Sequence, residues 1–174
     1  MPITIYTIGH STHPIDAFIR LLQEFGIEAV VDVRTIPKSR HNPQFNQDAL
    51  REALQKNGIG YLHLKALGGL RRPSKTSINT AWKNLSFRGF ADYMQSEEFR
   101  QGLEQLMQLA AEKSAAIMCA EAVPWRCHRS LIADALVIRN YSVIEILGEA
   151  ASRPHQLTPW AKVDGDQITY PKEA

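Results

Sequence analysis

The feature that most constrains this chain is the run Ala29-Val-Val-Asp-Val33. It is a continuous apolar stretch with one acid inside it, the pattern of a strand covered on both faces in a parallel sheet rather than of a half-exposed antiparallel one. Parallel strands need helical crossovers, and the flanks supply them. Ile3–Ile8 is short and β-rich, and it ends at Gly9-His10-Ser11. From Ile15 to Phe25, the residues Ile15, Phe18, Ile19, Leu22 and Phe25 recur at helical spacing, and Gly26 stops the pattern. The first third therefore reads strand, helix, strand, a right-handed βαβ unit.

The alternation continues. Asn46 is placed to cap a helix running to about Asn57, with Ala49, Leu50, Ala53 and Leu54 facing inward, and Tyr61–Leu64 reads as a third strand. Lys65–Arg88 has no period and holds Gly68-Gly69, Pro73 and several basic residues; it reads as a long irregular stretch. Gly89–Gln95 and Ser96–Lys113 read as helical, Ala115–Ala120 as a fourth strand, Ser130–Arg139 as a helix and Tyr141–Leu147 as a fifth strand. The tail from residue 150 to 174 is irregular, with a possible small hairpin at Asp164-Gly165. The expected architecture is α/β: one domain over residues 1–174, with an open, mostly parallel five-stranded sheet and helices on both faces, a Rossmann-like three-layer arrangement.

At 174 residues, with 44% hydrophobic and 22% charged residues, the chain has the length and composition of one globular domain. A net charge of +2 is too weak to argue for nucleic acid by itself. No apolar run approaches the ~18 residues of a membrane span, and Met1-Pro-Ile-Thr-Ile-Tyr reads as a strand, not a signal peptide. Cytoplasm is the expected location, with no membrane partner, and there the two cysteines are more often reduced thiols than a bridge. Oligomeric state is not readable.

In open parallel sheets, ligands bind beyond the carboxyl ends of the strands. The polar residues of this chain gather there: Gly9-His10-Ser11 after the first strand, Asp32-Val-Arg34 and then Lys38-Ser-Arg40-His41 after the second, Gly68-Gly69 with Arg71-Arg72 after the third, and Cys119-Ala-Glu121 with Trp125-Arg126-Cys127-His128-Arg129 after the fourth. Cys127 and Cys119 are candidate nucleophiles, because a thiol near a helix N-terminus ionises more readily. Either sulfur equally reads as a small buried packing group. His10, His128 and Glu121 are acid/base candidates. Arg34 and Arg129 are candidates to hold an anion, with Ser11, Asp32, Arg40, Gly68, Gly69 and Trp125 as further binding candidates. Asp32, inside an apolar strand, needs a partner, and Arg34 lies on the same face two residues on. No cofactor is expected. Zinc or another divalent metal is an open possibility, since Cys119, Cys127, His128, Glu121 and His10 are competent ligand types, but the spacing matches no standard site.

These motifs resemble the domain of unknown function 488 family. The matching pieces are Thr7-Ile-Gly-His-Ser11, Val31-Asp-Val-Arg34 with Pro37, Ser39 and Arg40, Asn42-Pro-Gln-Phe45, Tyr61-Leu-His-Leu64, Leu67-Gly-Gly69, Arg88 to Met94, Cys119 to Asp134 and Leu157-Thr-Pro-Trp160. The resemblance implies an α/β fold and names no reaction. More loosely, a strand ending in Asp-Val-Arg followed by strand-Cys…Arg-Ser-helix is similar to rhodanese-type sulfurtransferases and cysteine phosphatases, though the loop here is longer and lacks their glycine-bearing cradle. The expectation is an enzyme acting on an anionic, phosphate- or nucleotide-containing substrate. The alternatives are a non-catalytic nucleic-acid or nucleotide binding module, using the basic loops with Trp82 and Phe87, and a metal-dependent hydrolase.

Overall fold

A computed structural model describes residues 2–172. The central sheet has six strands in the order β3-β2-β4-β1-β5-β6. β1 (Thr4–Gly9), β2 (Ala29–Asp32), β3 (Gly60–His63), β4 (Ala115–Cys119) and β5 (Ser142–Gly148) run parallel, and β6 (Ala151–Pro154) pairs antiparallel with β5. β7 (Lys162–Asp164) and β8 (Gln167–Thr169) form the separate hairpin expected around Asp164-Gly165. The five expected strands are all present. The sixth corrects the count: every residue of β6 is exposed, and its Pro154 donates no ladder bond, which suits an edge strand and leaves no apolar signature.

β2 and β4 are buried at every residue, as doubly covered strands must be. Side chains alternate between two cores. Ala115, Ile117 and Cys119 face α3 (Leu85–Tyr93), α4 (Glu97–Glu112) and α5 (Arg129–Val137), while Val30, Ala116 and Met118 face α1 (Ile15–Glu24) and α2 (Gln47–Lys56). The fold is therefore three-layered, as expected.

Local differences have physical causes. α3 begins at Leu85, four residues before the sequence reading, because the Asn84 side chain accepts from the amides of Ser86 and Phe87. Asn46 precedes α2 but makes no side-chain cap; its Oδ1 accepts instead from the Ser39 amide, 2.8 Å away. Ala49 is exposed and Ala53 half-buried, so Leu50 and Leu54 alone anchor α2. The long stretch after β3 is ordered by Asp92, whose carboxylate accepts from the Ser74 amide, the Ser77 hydroxyl and the Asn79 amide group.

Candidate functional site

β2 and β4 are neighbours, so whatever follows them meets above their carboxyl ends. A cleft of about 340 Å³ opens there, lined by Arg34, Lys38, Cys119, Arg126, Cys127 and His128 among others. Exposed Ile36 and Leu70 with half-buried Phe87 give it apolar walls.

Cys119 is the last residue of β4, and Cys127 stands two residues before the first residue of α5. Their Sγ atoms touch, and their Cα atoms are 7.4 Å apart. The structure thus bridges the two sulfurs as a disulfide where the sequence suggested reduced thiols, because the fold brings the end of β4 against the start of α5; reduction would leave two adjacent thiols there. Arg129 lies beneath them, fully buried. Its Nε donates to Cys119 Sγ at 3.0 Å, one terminal nitrogen to the Thr7 hydroxyl at 3.1 Å, and the other to the Glu121 carbonyl at 2.7 Å. No carboxylate pairs with it among the described residues. Burial lowers its pKa to about 10, which still leaves it charged at neutral pH. A buried cation requires a counter-charge. Glu145 and Glu121 favour its charge from a distance, and the Cys119 sulfur is the side-chain atom its Nε meets.

His128 is held from behind. Its Nε2 lies 2.9 Å from the Val33 carbonyl and 3.0 Å from that of Leu67. Both partners are acceptors, so Nε2 carries the proton and Nδ1 presents a lone pair to Cys127 Sγ, 3.6 Å away. Burial lowers the His128 pKa to about 4, which keeps the ring neutral. The Arg129 amide donates to Cys127 Sγ at 3.4 Å, the contact of a helix N-terminus with a thiol.

Asp32 and Arg34 pair as anticipated. The carboxylate accepts from Arg34 Nε at 2.9 Å, from its terminal nitrogen at 2.7 Å, and from the Tyr61 hydroxyl at 2.6 Å. Burial raises the Tyr61 pKa, so its phenol stays a donor. His10 hydrogen-bonds the Ser11 carbonyl through Nδ1 at 2.8 Å and faces Arg34 through Nε2 at 3.4 Å. Burial lowers its pKa to about 4, and its ring stacks on Phe45.

The structure thus gathers His10, Asp32, Arg34, Cys119, Cys127, His128 and Arg129 at one rim and redistributes their tasks. Arg34 and Arg129 spend their donors inside the protein. The cations left free at the cleft are Lys38 and Arg126, both exposed and without a side-chain partner among the described residues. Sequence reasoning missed them as site residues; Arg126 sits inside the motif it singled out. His10 has both ring nitrogens engaged. The Glu121 side chain is exposed at the cleft, accepting from the Val123 amide. Gly69 lines the cleft, while Gly68 packs against protein. A Cβ on Gly69 would stand 2.6 Å from His128 Nδ1, and one on Gly68 would strike Thr35. Ser11 turns the chain at φ 49° and donates its amide to Ala120. Arg40 is exposed and lines no part of the cleft, and Trp125 walls a different cavity. Among the described residues no group of three His, Cys, Asp or Glu side chains is arranged to hold a metal ion, so the zinc ligand set does not assemble. Trp82 and Phe87 pack edge-on against each other and against the core. No helix among the described residues is long and apolar enough to cross a membrane.

A family model described as Domain of unknown function DUF488 matches residues 14–136. The chain belongs to that family. The matched DUF488 segment carries β2, β4, both cysteines and His128, so the cleft lies within it. Neither the curated proteins nor the solved structures yield a match to the chain.

Proposed function

We propose that this DUF488 protein is a cytoplasmic cysteine-dependent enzyme acting on an anionic substrate with an apolar portion. The observation that carries the reading is the fully buried Arg129 guanidinium, whose Nε stands 3.0 Å from the sulfur of Cys119. Once the bridge is reduced, a cation held there favours the Cys119 thiolate and makes it the nucleophile. Cys119 Sγ forms the new bond to an electrophilic atom of the substrate. The leaving group departs with the electron pair of the broken bond and takes the proton of the neighbouring Cys127 thiol. Neutral His128, fixed by two carbonyls, offers Nδ1 to position that thiol. Lys38 and Arg126 meet the negative charge of the substrate, and Ile36 and Leu70 its apolar part.

The binding-module and metal-hydrolase readings draw less support, since the aromatic residues of the basic loop pack on each other and no metal-ligand group forms among the described residues. The test is the pH–rate profile of alkylation of the fully reduced protein by iodoacetamide, with the site located by peptide mass mapping. Cys119 is expected to react at a rate already near its plateau at pH 7. A rate that climbs through pH ~8.5, as for a free peptide thiol, refutes the mechanism.

A further inference from the structure

A second cavity, of about 620 Å³, lies on the other side of the Cys119–Cys127 loop and shares no lining residue with the cleft. Its walls include Trp82, Trp125 and Trp160, which are all three tryptophans of the chain. Trp125 is 58% exposed and Trp160 47% exposed. Two large aromatic faces left open around one concave space mark a binding site more readily than a folding need. Trp82 is the fixed back wall: it packs edge-on against Trp160 and Tyr170, with ring centres 5.3 and 5.5 Å away.

The polar groups of the cavity decide what it can take. Its carboxylates are saturated. Glu145 accepts from Arg153 Nε at 2.7 Å and from His155 at 3.3 Å. Behind it, Asp134 accepts from His155, from the Thr158 amide and hydroxyl, and from the Tyr170 hydroxyl. No open carboxylate remains to attract a cation. Arg153 differs: Glu145 holds its Nε, its guanidinium lies 5.0 Å over the Trp125 ring, and its two terminal nitrogens have no partner among the described residues. A guanidinium fixed at one nitrogen and open at two presents the fork that binds phosphate or carboxylate.

We infer that this cavity binds a planar aromatic ring carrying one anionic group, the ring against Trp160 and the anion on Arg153. Phosphate and carboxylate ligands share that chemistry, and adenosine 5′-monophosphate and benzoate are the probes that separate them. Because every tryptophan lines the cavity, intrinsic emission reports on this site without a label. Saturable quenching by either probe is expected, with adenosine, which lacks the anion, at least about tenfold weaker. Arg153→Gln should weaken the better probe about tenfold or more, and Trp160→Ala should also weaken it. Circular dichroism melts verify that each variant is folded; Arg153 is exposed, so its replacement should leave the fold intact. The inference is overturned if neither probe quenches saturably, if adenosine binds as well as its monophosphate, or if folded Arg153→Gln binds unchanged. Both variants lie outside the cysteine cleft, so either result is independent of the thiol chemistry.

Discussion

His155 should make this protein lose stability as the solution turns mildly alkaline. The ring bridges Asp134 at 2.8 Å and Glu145 at 3.3 Å, and it is 7% exposed. Burial works against its charge, but the hydrogen bonds the ring donates to both carboxylates win and raise its pKa from 6.5 to about 9. The folded state thus holds a proton that the unfolded chain releases near pH 6.5. The stabilisation is complete below pH 6.5, declines as pH rises, and is gone above about pH 9. At about 1.4 kcal/mol per tenfold change in proton affinity, it amounts to about 3 kcal/mol, trimmed to about 2 by water reaching the ring through the cavity. Tyr170, whose phenol burial keeps protonated far above its ordinary range, stays silent across this window. The assay is urea unfolding at pH 6.5 and 9.5 for the wild type and for His155→Gln. The wild type should lose about 2 kcal/mol more than the variant between the two pH values, equivalent to about 4–8 °C in melting temperature. Parallel losses in the two proteins would refute the argument, because general alkaline titration affects both alike.

Three further outcomes follow from contacts described above. Asp32→Asn leaves the 6%-exposed Arg34 without its counter-charge and should cost about 3–5 kcal/mol in chemical denaturation. Gly69→Ala forces a methyl group against the His128 ring and should destabilise by about 1–3 kcal/mol, with a perturbed His128 imidazole signal in NMR spectra. Asn84→Ala removes the cap of α3 and should cost about 1 kcal/mol, with hydrogen exchange rising first at the amides of Ser86 and Phe87.

The sheet was legible because doubly buried strands write themselves as apolar runs, and Ala29–Val33 and Ala115–Ala120 are such runs. Ala151–Pro154 was not, because an exposed edge strand buries nothing. The cluster of chemical residues at the strand ends was legible for a topological reason: β2 and β4 are neighbours, so Arg34, Cys119 and Cys127 had to meet. Which charge neutralises which was not legible. Arg129 reads as a surface anion clamp until the fold carries it under Cys119 and against Thr7, 122 residues away in sequence. Arg153 drew no notice for the same reason, since its neighbour Trp125 comes from the loop after another strand.

The DUF488 match begins after β1 and ends inside α5. Yet β1 is the slat between β4 and β5, and Asp134 on α5 is bonded by His155, Thr158 and Tyr170, all downstream of the match. A fragment trimmed to residues 14–136 would lack a central strand and leave the Asp134 carboxylate without its hydrogen-bond partners. The unit that must be expressed, crystallised or grafted is therefore longer than the unit that family comparison recognises.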